Sequence, residues 1–128
     1  MPIAHVTFGT NQLDAGLQFY DAVIGEMGGG RAFTTERAAG WGFGEGAGPS
    51  IGITLPFDGH DANVGNGTMA AIMVGDEDCV RRVHAAALGH GGSCEGAPGL
   101  RANGFYAAYF RDPDGNKMNA FCVPASGQ

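Results

Sequence analysis

Residues 13–28, LDAGLQFYDAVIGEMG, and residues 77–92, EDCVRRVHAAALGHGG, lie 64 positions apart and repeat one another in pattern. Phe19-Tyr20 falls on Val83-His84, Val23-Ile24-Gly25 on Ala87-Leu88-Gly89, and Gly28 on Gly92. Leu13, Leu17, Tyr20, Ile24 and Met27 recur at the spacing of one face of an α-helix, and Val80, Val83, Ala87 and Leu88 do the same in the second stretch. Glycines close both, Gly28-Gly29-Gly30 and Gly91-Gly92, where a left-handed residue ends a helix without steric cost. Self-similarity at a fixed period reads as two copies of one supersecondary unit.

Upstream of the first helix, residues 3–9 alternate: Ile3, His5 and Thr7 share one face, and Ala4, Val6 and Phe8 the other, which predicts a strand. Asn11 is the predicted N-cap, with Asp14 three residues on as a loose capping box. Short β-type runs follow near 31–36, 40–45 and 50–55. The second half repeats this order. Thr68–Val74 is a strand, Asp76, Glu77 and Asp78 put negative charge at the positive end of a helix, and strands fit near 93–97, 105–111 and 117–123. Asp112-Pro113-Asp114-Gly115-Asn116 suits a tight hairpin turn between the last two. Each half is thus β-α-β-β-β. The predicted class is α+β, two βαβββ modules forming a cupped mixed sheet. It is organised as one domain over 1–128: module one 1–55, connector 56–67, module two 68–123 and tail 124–128.

Composition narrows the function classes. Glycine supplies 24 of 128 residues, a surplus that favours tight turns and excludes a coiled coil. Net charge is −6 with only 7 Lys+Arg and no basic stripe, which argues against nucleic acid as a partner. No run of about 18 apolar residues and no leader-like start occur, so no membrane association is expected and the chain is read as cytoplasmic. Three widely spaced cysteines, Cys79, Cys94 and Cys122, fit reduced thiols.

The paired βαβββ modules, His5 in the first strand, Phe19-Tyr20-Asp21 in the first helix and the closing Asp112-Pro113-Asp114-Gly115-Asn116-Lys117 together resemble the vicinal oxygen chelate superfamily. That group includes glyoxalase, bleomycin-resistance proteins and extradiol dioxygenases. The resemblance extends to Gly65-Asn66-Gly67-Thr68-Met69, residues 85–92, Gly96-Ala97-Pro98-Gly99 and residues 106–117, which are similar to bacterial glyoxalase-like proteins of undefined substrate. It implies a cupped sheet around a small-molecule cavity, and in metal-using members one ligand from the first and last strand of each module. Carried over residue by residue, those positions are His5, Met69, Asn119 and Leu55, or Thr54 if the register slips by one. Only the imidazole is a good ligand, since thioether prefers soft ions, leucine cannot coordinate and a neutral amide is weak. No metal and no other cofactor is therefore expected, a divalent ion being disfavoured.

Strand alternation places Ile3, His5, Thr7, Ile53, Leu55, Met69, Ala71, Met73, Lys117, Asn119 and Phe121 on the presumed cavity wall. The wall is largely apolar with a few polar groups, as a site for a small organic ligand requires, although a filled core would read the same way. His5 is open to three roles: lone metal ligand, general base, or packed core histidine. Arg101 sits in a glycine-rich loop where a guanidinium would hold a carboxylate, or simply meet solvent. Arg111 is expected to pair with Asp112 or Asp114. The resemblance implies either an enzyme of lyase, isomerase or dioxygenase type or a non-catalytic protein that binds or sequesters a small molecule. A homodimer is expected, because exposed strand edges need covering.

Overall fold

The structure is a computed structural model that describes residues 3–46 and 48–124. The chain runs β1 (Val6–Gly9), α1 (Leu13–Glu26), β2 (Gly30–Thr34), β3 (Ala38–Gly42), β4 (Ile51–Thr54), β5 (Met69–Met73), α2 (Glu77–Gly89), β6 (Ser93–Leu100), β7 (Tyr106–Arg111) and β8 (Lys117–Cys122). The class is α+β with the βαβββ order twice. Hydrogen bonding divides the strands into two four-stranded sheets, β1-β4-β3-β2 and β5-β8-β7-β6. In each, the first strand of the module runs parallel to its last, and the remaining pairs are antiparallel. The tail expected at 124–128 lies, beyond Pro124, outside the described residues.

In α1 the inner turns bury Phe19, Tyr20, Val23 and Ile24, with Leu13, Leu17 and Met27 half-buried around them. The predicted cap differs. Gln12 takes the N-cap without a side-chain bond, and Asn11 instead clasps the connector, donating from Nδ2 to the Ala62 carbonyl at 3.2 Å and accepting from its N–H at 2.7 Å. Asn11 thereby satisfies its amide on both sides, which a cap would not do. In α2 the cap is Asp76, which accepts from the Cys79 N–H at 2.8 Å. Its buried face is Cys79, Val80, Val83, His84 and Ala87, and Leu88 turns outward. After the His90 cap, Gly91 takes the left-handed conformation with φ 95°, and Gly92 leaves no room for a side chain, since a Cβ there would lie 2.5 Å from the Arg111 carbonyl oxygen.

One core joins both modules. Phe19 meets Tyr20 edge-on at 4.9 Å, Tyr20 lies 5.1 Å from Trp41, and Phe110 of the second module closes on Phe19. The turn after β7 fastens this arrangement. The buried Asp112 carboxylate accepts from the Tyr20 hydroxyl at 2.8 Å, from Asn116 Nδ2 at 2.9 Å, and from the N–H groups of Asp114 and Asn116, both at 2.9 Å. Asn116 Nδ2 also donates to the Gly9 carbonyl at 3.0 Å, while the Thr10 hydroxyl and the Asn11 N–H donate to Asp114. Both aspartates are therefore committed to module one. Arg111, expected to pair with one of them, forms its ion pair with Glu95 at 3.4 Å and donates to the Gly115 carbonyl. Burial pushes the Tyr20 phenol well above its ordinary pKa, and the adjacent Asp112 charge adds to this, so the hydroxyl stays a donor.

Candidate functional site: two open sheet faces

Each sheet turns one face to the core and leaves the other open. On the first sheet, Phe8 lies beside Ile53 and both point inward. The outward positions are then Thr7 on β1, Gly52 and Thr54 on β4, and Ala38 and Gly40 on β3, with His5 just ahead of β1. A cavity of about 350 Å³ sits here, lined by His5, Thr7, Phe33, Pro49, Gly52 and Thr54 among others. Its wall depends on an absent side chain: a Cβ at Gly40 would stand 2.5 Å from the Phe33 ring.

On the second sheet the register arranges the open face in three rows. Met69, Lys117 and Arg111 form the first, Ala71, Asn119 and Tyr109 the second, and Met73, Phe121 and Ala107 the third. Phe105 lies over Phe121 at 4.9 Å between ring centres. Arg101, after β6, folds back above the Tyr109 ring at 5.4 Å, and Lys117 Nζ stands 5.5 Å from the same ring. Asn119 is only 6% exposed and its Oδ1 has no hydrogen-bond partner. A polar cavity of about 510 Å³ adjoins this face between Met69, Arg111, Lys117 and residues 64–68.

Of the residues singled out in the sequence, His5 and Thr7 share the first cavity, and Met69, Met73, Arg101, Asn119 and Phe121 gather on the second face. Between the edge strands β1 and β5 lies a crevice of about 270 Å³ lined by Val6, Ile51, Ala71 and Met73. Leu55 joins neither. It lines a separate crevice with Thr10, Arg37, Pro56 and His60, whereas Ile53, placed with it on the presumed wall, does border the first cavity although its side chain is buried in the core. The reason is register. Thr7 lies beside Gly52, but Ala71, 64 residues later, lies beside Asn119. The second module has gained residues between its helix and last strand, in the longer β6–β7 hairpin, so the counterpart of Asn119 is Gly52. Thr54, the slipped alternative, does line the first cavity. Tyr109 was not put on the wall, yet counting back from the turn pairs it with Asn119.

The four positions that would hold a metal ion therefore offer one imidazole, one thioether, one amide and a glycine. This set does not fit a hard or borderline divalent cation, which needs about three protein ligands of N, O or thiolate type. Among the described residues no three His, Cys, Asp or Glu side chains gather elsewhere for that purpose. The cysteines lie off both faces: burial pushes the thiols of Cys79 and Cys122 up, and exposed Cys94 sits with its Sγ 3.3 Å from His84 Nε2. Burial draws His84 below its usual pKa. No helix among the described residues is long and apolar enough to cross a membrane.

Residues 2–119 match the family described as the Glyoxalase/Bleomycin resistance protein/Dioxygenase superfamily. Among solved structures, a glyoxalase/bleomycin resistance protein from Albidiferax ferrireducens T118 is 36% identical, with a TM-score of 0.84 over 95% of this chain and 98% of that one. A glyoxalase-related enzyme from Fulvimarina pelagi is 20% identical, with a TM-score of 0.76 over 95% and 88%. A lactoylglutathione lyase from Agrobacterium tumefaciens is 18% identical, with a TM-score of 0.68 over 99% and 97%. No curated protein matches the sequence.

Proposed function

The chain belongs to the glyoxalase/bleomycin resistance protein/dioxygenase superfamily, and from that premise we propose that it binds a small, mostly apolar organic molecule without a metal ion. The observation that carries this reading is the first-sheet cavity, where one imidazole and two hydroxyls stand among otherwise apolar walls. Such a site gains affinity by removing apolar area from water, about 25 cal/mol per Å², and uses its few polar groups for orientation. His5 and Asn119 are then hydrogen-bonding groups for the ligand rather than chelators. Binding without turnover is the favoured form. A lyase or isomerase would require His5 as general base, and no carboxylate orients it among the described residues. Protein purified gently should carry far less than one equivalent of zinc, nickel or iron by elemental analysis. It should also show negligible turnover of glutathione hemithioacetal. A stoichiometric metal would overturn the reading.

The same proposal includes a homodimer. Met69, Met73 and Phe33 are 42–64% exposed on the open faces, and β1 and β5 are edge strands. A second copy that sets its second sheet over the first sheet of its partner would cover both and make two identical cups. Sedimentation at micromolar concentration should give twice the 13.1 kDa chain mass. A clean monomer contradicts this.

A further inference from the structure

We infer that the second-sheet face selects ligands carrying a carboxylate and a hydrogen-bond donor on an aromatic or apolar body; this rests on the small-molecule reading above and adds the ligand's chemical class. Three of the 7 basic side chains of a −6 chain, Arg101, Arg111 and Lys117, gather on or beside this one face. Arg111 is neutralised by Glu95. Arg101 and Lys117 have no carboxylate partner among the described residues, and they flank the Tyr109 ring.

Arg101 is seated rather than free. Its Nη1 and Nη2 donate to the carbonyls of Gly99 at 2.9 Å and Ala97 at 2.7 Å. Glycine leaves room for the seat: a Cβ at Gly99 or Gly96 would lie 3.1 or 3.2 Å from the guanidinium nitrogens and push the group aside by a few tenths of an ångström. A guanidinium has five N–H donors, so these two bonds hold the group and leave three uncommitted. Prepositioning of this kind lowers the ordering cost of binding an oxyanion.

Asn119 supplies the second recognition element. It lies in the middle row beside Tyr109, with small Ala71 on its other side, and its buried Oδ1 lacks a donor. A buried acceptor left unpaired is costly, and a ligand hydroxyl or N–H would satisfy it. Beyond it, Met73, Phe121 and Phe105 offer an apolar rest for the body of the molecule. Anion, donor and aromatic body thus each meet a matching group on the same sheet face.

Three probes that share one body and differ in charge test this: 4-hydroxyphenylacetate, 4-hydroxyphenylacetamide and tyramine, titrated calorimetrically into the full chain. The acid should bind about tenfold or more tighter than the amide, and the amine should bind weakest. Arg101→Gln and Lys117→Gln should each lower the affinity for the acid about tenfold while leaving that for the amide unchanged. If Arg101→Gln loses its fold, Lys117→Gln alone decides. Equal binding of acid and amide, or folded variants that hold the acid as tightly as wild type, overturns the inference and leaves the small-molecule reading standing. Failure of all three probes to bind overturns both.

Discussion

Asp112→Ala should cost about 3–5 kcal/mol of folding stability, because several buried, uncharged donors lose their common acceptor and each one left unsatisfied costs about 1–3 kcal/mol. The carboxylate accepts four hydrogen bonds, two from backbone N–H groups of its own turn and two from the side chains of Tyr20 and Asn116. Truncation leaves a fully buried phenol hydroxyl without an acceptor and frees the turn that bonds to Gly9, Thr10 and Asn11. Against a typical total of about 5–15 kcal/mol, that is a large fraction. Tyr20→Phe removes a single bond to a charged acceptor and should cost about 1.5–3 kcal/mol. The double variant should fall short of the sum, since both changes break the same contact. Urea denaturation of the four proteins checks this. A loss under about 1 kcal/mol for Asp112→Ala, the level of an ordinary point change, would show that the clasp does not hold the modules together.

In the proposed dimer the first-sheet cavity and the partner's second-sheet face form one cup, so Thr7→Phe should weaken ligand binding by more than about tenfold while changing stability by no more than about 0.5 kcal/mol. Thr7 is exposed on the open side of β1 and lines the first cavity, so a phenyl ring there occupies the space a ligand would take. Its backbone is an ordinary strand position, where an aromatic side chain is well tolerated. The separation of effects is the informative part. If the cavity is a binding site, affinity falls and the melting curve stays. If the surface is ordinary exterior, neither moves, and calorimetric titration of 4-hydroxyphenylacetate gives the wild-type value.

Local signals carried most of the fold. The 64-residue repeat predicted both helices nearly to the residue, because the helical stripes and terminal glycines are short-range features. The inward and outward positions of β5 and β8 followed from alternation alone. What failed was long-range register. Leu55 was misplaced because the repeat offset does not survive the longer β6–β7 hairpin, and nothing local in β4 records which residue will face Thr7. The role of Asp112 was also hidden. A good turn sequence does not show that its side chain will reach Tyr20, 92 positions away. The Arg101 seat was half legible: the glycines at 96 and 99 were visible, but what they make room for depends on the fold-back of a loop.

A metal-free surface of this chain should hold an organic ligand. The direct measurement is an amide chemical-shift titration of isotope-labelled protein with 4-hydroxyphenylacetate, run with and without excess EDTA. The predicted result is saturable shifts at Thr7, Gly52, Thr54, Asn119 and Phe121, identical in both conditions. Shifts confined to other residues, or binding that disappears on chelation, would contradict it.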